Sequence, residues 1–334
     1  MDEFAVRSVL AIDLGGTQIR AAHVSPDLVV ACRRAVDTRD EEGVEAVIDR
    51  ICATASAVRD DARRAGLADP VGIGISSPGP LDPWRGVVLE TPNLVGWTGV
   101  PITERVEAAL GLPAFLERDT NVAVMAEWRH GAARGADDVV YVTVSTGLGG
   151  GIVLQGNPLI GKDGTAGEVG HLTVELDGPL CGDGMPGHAE AIGSGRAIAR
   201  EGQALLERGE APGLAALTND PAAVDAELVA RAADEGDAAC ALVLARAWEA
   251  IGAMCAGLVN VLNPEVIVLG GSIALHRSDL RVAVRAGIDR RAFPIPARRV
   301  RVEMAEHGDD VSLIGLLTIV NERLTDPTYR REHG

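Results

Sequence analysis

Short apolar runs punctuated by glycine, proline and acidic residues dominate the first third of the chain. Val9-Leu10-Ala11-Ile12, Ile19-Arg20-Ala21-Ala22-His23-Val24 and Val71-Gly72-Ile73-Gly74-Ile75-Ser76 have strand length and strand composition. The pattern predicts strands near 8–13, 17–24, 28–36 and 71–76 and a helix near 41–66, which is an α/β arrangement. A turn-rich run holding Pro78, Gly79, Pro80, Pro83 and Pro92 comes next. A helix near 102–110 and a strand at Ala114-Phe115-Leu116-Glu117 then lead to Asp119 and another helix.

A second series follows, with strands at 138–146 and 150–155 and an irregular glycine-rich stretch from 161 to 187. Helices are expected near 189–208, 222–234 and 237–261, and a strand at 265–269 ends at Gly270-Gly271. The chain thus reads as two α/β domains, residues 1–119 with 312–334 and residues 120–311, the last helix near 311–323 returning to the first domain. A length of 334 residues agrees with two cores. The apolar stretch from Val261 to Ile273 is broken by Asn263, Pro264 and Glu265, so no membrane-spanning segment is expected.

Charge narrows the partners. With 48 acidic and 31 basic residues and a net charge of −17, the surface is expected to repel nucleic acid and anionic membrane. Cys32, Cys52, Cys181, Cys240 and Cys255 form no even framework and no signal peptide is read before the first strand, so a reducing cytoplasm is the expected location.

Two glycine-rich turns carry the first chemical signal. Asp13-Leu14-Gly15-Gly16-Thr17 and Ser145-Thr146-Gly147-Leu148-Gly149-Gly150-Gly151 each join two apolar strands. Glycine there admits positive φ and lets backbone N–H groups approach a phosphate, while Thr17 and Thr146 add hydroxyl donors. An ordinary β-hairpin is the plain alternative for either turn alone. Asp13 shifts the balance, because a carboxylate at the end of a buried strand is costly without a cation, and hydrated Mg²⁺ is the usual companion of a nucleotide. A P-loop is excluded, since the single lysine, Lys162, is followed by Asp163. A Rossmann fingerprint is excluded too, since Gly15-Gly16 opens a strand and not a helix.

Taken with Ser77-Pro78-Gly79-Pro80-Leu81-Asp82, Thr91-Pro92-Asn93-Leu94, Asp119-Thr120-Asn121, Gly167-Glu168-Val169-Gly170-His171 and Leu269-Gly270-Gly271-Ser272, these turns make the chain resemble the ROK family of sugar kinases and related repressors over nearly its full length. The resemblance implies an actin-like, hexokinase-like (ribonuclease H-like) fold of two α/β domains, with ATP in the cleft between them and a hexose deeper in it. It also implies an ATP-dependent kinase for the 6-hydroxyl of glucose or a related hexose, with Asp119 as general base. A helix N-cap is the alternative role for Asp119, and the two are compatible. Gly79, Asn93, Glu168, His171 and Glu190 would bind the sugar; Asp13, Gly15, Gly16, Thr17, Thr146, Gly147, Gly270, Gly271 and Ser272 would bind Mg-ATP. Alone, Glu168, His171 and Glu190 read as solvated polar residues. A homodimer or homotetramer is implied as well.

The chain departs from the family in two places. The family's zinc signature, Cys-Gly-Cys-Gly-x-x-Gly-Cys-x-Glu with an upstream histidine, here runs from Cys181 to Glu190 with Asp183 and His188 in place of two cysteines. Either the metal is abandoned or the ligand set is His171, Cys181, Asp183 and His188; two replacements that are both zinc-ligand types favour retention of Zn²⁺. The second departure is Arg118, where the family usually has an Asn that touches the hydroxyls on carbons 3 and 4. Turned inward it would alter recognition there; turned outward it would be a surface ion-pair partner. An amino or N-acylated hexose, of glucosamine, kanosamine or N-acetylmannosamine type, is therefore the alternative acceptor. A sugar-sensing regulator of the same family is disfavoured, because the twelve residues before Asp13 are too few for a helix-turn-helix. A catalytically idle scaffold is disfavoured by the presence of Asp119.

Overall fold

The computed structural model describes residues 6–91 and 94–326. The chain begins with β1 (Val9–Leu14), β2 (Gln18–Val24), β3 (Val30–Asp37) and α1 (Val44–Arg64). It continues through β4 (Ile73–Ser77), β5 (Leu81–Asp82), β6 (Val87–Glu90), β7 (Thr98–Val100), α2 (Ile102–Leu110), β8 (Ala114–Arg118) and α3 (Asp119–His130). Next come β9 (Val139–Val144), β10 (Leu148–Leu154), β11 (Asn157–Pro158), α4 (Glu190–Gly193), α5 (Gly195–Glu207), α6 (Pro212–Leu217), α7 (Ala226–Asp234) and α8 (Ala238–Leu262). The last elements are β12 (Val266–Gly270), α9 (Ser272–His276), α10 (Ser278–Arg291), α11 (Pro294–Arg299), β13 (Arg301–Met304) and α12 (Val311–Thr325).

Contacts group the described chain into two compact units, one of residues 6–135, 158–166 and 309–326, the other of Ala136–Asn157 and Gly167–Gly308. In the first, the sheet runs β3-β2-β1-β4-β8. β1 pairs antiparallel with β2 and parallel with β4, which pairs parallel with β8. β1 is buried at every position except Asp13, as expected of a central strand covered on both faces. α1 places Val47, Ile48, Ile51, Ala55 and Val58 against the core at helical spacing. α12 packs on β1, β4 and α3, and it meets α3 so closely that a Cβ at Gly315 would lie 2.0 Å from the Val122 carbonyl oxygen.

The second unit repeats the motif in the order β11-β10-β9-β12-β13. β9 pairs antiparallel with β10 and parallel with β12, which pairs parallel with β13. α8 is long and apolar enough to cross a bilayer, yet its most apolar stretch is 61% buried within this unit, the helix packs against α7 and α10, and it carries Arg246 and Glu249. That is the pattern of a core helix.

Three expectations need adjustment. The first division falls after α3 and not before it, because α3 packs against α12. The expected helix 189–208 breaks at Ser194, whose backbone is extended and whose Oγ accepts from the Ala197 N–H at 3.2 Å to cap α5. Residues 272–304, passed over in the sequence, form α9, α10, α11 and β13.

Candidate active site

The residues singled out in the first unit lie at the carboxyl ends of three neighbouring parallel strands. Asp13 ends the apolar run of β1, Gly79 follows β4, and Asp119 follows β8. Ligands of open α/β sheets bind at these ends, because loops there diverge and helix N-termini face the same way. Asn93 lies outside the described residues.

Asp13 faces Arg20 across the β1–β2 register. Arg20 Nε donates to Asp13 Oδ2 at 3.0 Å, Nη2 donates to the same oxygen, and the guanidinium also reaches Ser312 Oγ at 3.1 Å and the Asp309 carbonyl at 2.9 Å. The cation that a part-buried Asp13 requires is thus supplied by the chain itself, which removes the burial argument for Mg²⁺ at this carboxylate. The turn that follows is held by Thr38, whose N–H donates to the Thr17 carbonyl at 2.8 Å and whose Oγ1 donates to the Gly15 carbonyl at 2.6 Å. None of Gly15, Gly16, Gly147 and Gly149 to Gly151 takes a positive φ, contrary to expectation. At Gly147 the requirement is space: a Cβ there would stand 2.8 Å from Glu190 Oε2.

Asp119 opens α3 and is exposed, whereas Glu117 and Arg118 before it are buried. Its Oδ1 accepts from the Thr120 N–H at 2.7 Å, so one carboxylate oxygen serves the helix start. Arg118 is turned inward, the first of its two open orientations: it is 4% exposed, its Cδ is 3.3 Å from the place a Cβ would take on Gly79, and Nη2 donates to the Ala166 carbonyl.

In the second unit, two loops meet at the carboxyl ends of the neighbouring strands β9 and β12. Ser145 Oγ and Ser272 Oγ are 2.9 Å apart, which sets Thr146-Gly147 beside Gly270-Gly271-Ser272. Gly271 has a φ of 88°, and a Cβ there would sit 2.6 Å from both Thr143 Oγ1 and the Val144 carbonyl oxygen, so only glycine suits the position. A cavity of about 570 Å³ opens beside these loops, lined by Ser145, Thr146, Arg196, Asp225, Glu227, Ser272, His276 and Arg277 among others. Its size suits a small-molecule ligand. Arg196, Asp225, Glu227, His276 and Arg277 escaped the sequence reading, because they stand on separate helices and loops with no local motif.

Glu190 Oε2 accepts from the Leu148 N–H at 2.9 Å, tying the start of α4 to the glycine turn. Glu168, exposed, precedes a short 3₁₀ turn at Val169–His171 that carries His171 toward a cluster. The ligating atoms of His171, Cys181, Asp183 and His188 all lie within 4.8 Å of one another. His171 Nδ1 is 2.9 Å from Asp183 Oδ2 and 3.3 Å from His188 Nδ1, and His188 Nδ1 is 3.2 Å from Asp183 Oδ2. Tetrahedral zinc with bonds of about 2.0–2.3 Å needs donors about 3.3–3.8 Å apart, so this donor set fits the ion in kind, and the 2.9 Å and 3.2 Å approaches of Asp183 to the histidines would open by a few tenths of an ångström to admit it. A turn from Cys181 to Met185 builds the site, with the Cys181 N–H donating to the Met185 carbonyl at 2.8 Å and Asp183 Oδ1 accepting from the Met185 N–H at 3.0 Å. Asp183 therefore caps a turn with one oxygen and faces the histidines with the other. That Met185 N–H, aided by His171 and His188 against partial burial, holds the Asp183 carboxyl below its ordinary pKa, while burial pushes the Cys181 thiol up.

Comparison with known proteins matches residues 9–323 to the ROK family. A glucokinase of Thermotoga maritima is 33% identical over 316 residues, covering 95% of this chain and 98% of that protein. An N-acetylmannosamine kinase of Salmonella typhimurium is 32% identical, covering 92% and 96%. Among solved structures, a ROK glucokinase from Streptomyces griseus in complex with glucose and AMPPNP superposes with a TM-score of 0.79 at 30% identity, covering 93% of this chain and 98% of that one. The fold is accordingly the two-domain hexokinase-like fold of ROK kinases.

Proposed function

Because the chain belongs to the ROK family, we propose that it is an ATP-dependent hexose kinase acting on the 6-hydroxyl of glucose or a closely related hexose. The observation that carries this reading is the exposed Asp119 carboxylate at the start of α3, fixed between buried neighbours at the carboxyl end of a parallel strand. Asp119 accepts the proton of the 6-hydroxyl while that oxygen bonds to the γ-phosphorus, and the bond from γ-phosphorus to the bridging oxygen breaks to release ADP. A loose transition state needs the base to be positioned more than it needs it to be strong.

Gly79, Asn93, Arg118, Glu168, His171 and Glu190 are the residues assigned to the sugar. Carboxylates suit this work because each accepts from two hydroxyls. Gly15, Gly16 and Thr17, with Thr146, Gly147, Gly270, Gly271 and Ser272, receive the phosphates through backbone N–H and hydroxyl groups. The 570 Å³ cavity beside Thr146 and Ser272 takes the nucleoside end. Mg²⁺ arrives with the nucleotide, where it neutralises phosphate charge, and Asp13 is the carboxylate of the first turn for its water shell. Zinc would be held by His171, Cys181, Asp183 and His188. With Nδ1 of His171 directed into that cluster, the ring is oriented and Nε2 is the nitrogen that serves the sugar. The relative named for N-acetylmannosamine supports a second acceptor, an N-acylated hexose.

A coupled assay of ADP release over glucose, mannose, N-acetylmannosamine and glucosamine, with the product's phosphate located by NMR, tests the reading. Phosphate on carbon 6 is expected, with turnover lowered roughly 10²–10⁴-fold in Asp119→Ala while ATP binding persists. A variant that keeps more than half the activity would remove Asp119 from the role of base.

A further inference from the structure

The loop that carries His171, Cys181, Asp183 and His188 is braced along its backbone. The Val174 and Glu175 N–H groups donate to the Gly187 carbonyl at 2.8 and 3.2 Å, the Ala189 N–H donates to the Leu172 carbonyl at 3.0 Å, and Thr173 bridges His188. These bonds flank His188 on both sides and hold it to the stretch that begins at His171. Gly187 approaches that stretch so closely that a Cβ would stand 1.5 Å from the Glu175 carbonyl oxygen, and Arg246 of α8 pairs with Glu175 at 3.0 Å. The arm bearing Cys181 and Asp183 is closed by the Gly187 N–H on the Pro179 carbonyl and by the Gly184 N–H on the Cys181 carbonyl, both at 2.9 Å. Cys181 is the one thiol of the cluster among the described residues, for Cys240 and Cys255 are buried along α8 and Cys32 and Cys52 belong to the first unit.

We propose that this cluster selects zinc against larger, more thiophilic divalent ions such as cadmium, and that Asp183 is the residue that decides. The inference rests on the reading of His171, Cys181, Asp183 and His188 as zinc ligands. Size is the first argument. The donor approaches of 2.9, 3.2 and 3.3 Å among Asp183, His188 and His171 are at or below the spacing of about 3.3–3.8 Å that zinc needs. An ion with longer bonds has to drive these donors further apart, against the backbone bonds that brace the loop. Donor chemistry is the second argument. Cadmium gains over zinc where thiolates gather, and here one thiolate stands with two imidazoles and a carboxylate, donors that suit the borderline zinc ion. Asp183 is confined to one ligating oxygen, Oδ2, because Oδ1 accepts from the Met185 N–H at 3.0 Å. A single carboxylate oxygen also falls far short of the six to eight oxygens, roughly, that calcium takes, so hard ions gain nothing from it.

The experiment strips the full-length protein of metal with dipicolinate and measures the affinities for zinc and for cadmium by competition with a chromophoric chelator, in the wild type, Asp183→Cys and Asp183→Asn. The wild type is expected to bind zinc more tightly than cadmium. Asp183→Cys supplies a second thiolate and should move the ratio of the two affinities toward cadmium by about tenfold or more. Its cobalt(II) form should show stronger near-ultraviolet thiolate-to-cobalt absorption than that of the wild type. Asp183→Asn can still accept from the Met185 N–H but lacks the anionic oxygen, so it should bind both ions more weakly. An Asp183 that only holds the turn would give wild-type affinities in Asp183→Asn. The wild-type ratio decides the matter if Asp183→Cys does not fold. A wild type that binds cadmium as tightly as zinc, an unmoved ratio in folded Asp183→Cys, or wild-type affinities in Asp183→Asn would overturn the inference and leave the zinc reading standing. Stripped wild type that takes up neither ion, and gives no tetrahedral cobalt(II) spectrum, would overturn the zinc reading itself and the inference with it.

Discussion

Replacing Arg323 with Met isolates the ion pair that anchors the strand leading to Asp119. Glu117 on β8 and Arg323 on α12 pair with side chains 3% and 9% exposed. Arg323 Nη1 also donates to the Leu116 carbonyl at 2.8 Å. Methionine preserves much of the arginine stem and removes the charge, which leaves a carboxylate in the core with N–H donors from Asn121 and Arg118 but without its cation. Breaking a buried pair from one side costs about 3–5 kcal/mol. The loss of one hydrogen bond to a carbonyl adds about 1 kcal/mol. Glu117→Gln removes the stranded charge while still accepting from both donors, so Glu117→Gln combined with Arg323→Met should recover to within about 2 kcal/mol of the wild type. Urea unfolding followed by tryptophan fluorescence is the appropriate measurement, because Trp84, Trp97 and Trp128 all lie in the unit that holds the pair. A cost below about 1 kcal/mol for Arg323→Met, or a double variant no more stable than the single, would refute the reasoning.

Two further outcomes follow from local geometry. The Asp237 carboxylate accepts from the N–H groups of Gly213, Leu214, Ala239 and Cys240 at 2.7, 3.3, 3.0 and 3.1 Å, so Asp237→Ala should cost about 1–3 kcal/mol in chemical denaturation. Burial alone raises that carboxyl's pKa, but the four donors outweigh it and the net value is lowered; its stabilising contribution is therefore complete above the unfolded-state value and disappears as pH falls through the folded one. The gap to Asp237→Asn should shrink below about pH 4. Elemental analysis should find zinc in carefully purified protein, and dialysis against chelator should lower the melting temperature and raise KM for sugar more than for ATP, with both restored by Zn²⁺. Full activity and unchanged melting in metal-free protein would show that the cluster holds by hydrogen bonds alone.

What could be read from the sequence depended on how local its cause was. The runs Val9 to Ile12 and Val266 to Leu269 are buried at every residue, and an unbroken apolar run of that length between turn residues has few other homes. The loop from His171 to His188 was legible because ligand types kept their spacing. Other features depend on partners remote in sequence or on a single hydrogen bond. The break at Ser194 sits inside a stretch whose alanines and isoleucines look continuously helical, and it is settled by one cap bond to Ala197. The Asp13–Arg20 pair follows from hairpin register, which a strand prediction without pairing does not contain. Arg118 is turned inward by Gly79 and Ala166, residues 39 and 48 positions away, so spacing carried no sign of its direction.

The three residues Glu117, Arg118 and Asp119 show why this direction is forced once the fold is set. In a strand, successive side chains leave opposite faces. β8 lies at the end of its sheet, and α12 packs on β8 and supplies Arg323 to Glu117. Arg118, the next residue, therefore leaves on the other face, where Gly79 makes room for its stem. β8 stops there, so residue 119 begins a helix and its carboxylate emerges at the strand's end. The order of anion, cation and exposed acid is thus imposed by alternation, by one neighbouring helix and by one glycine.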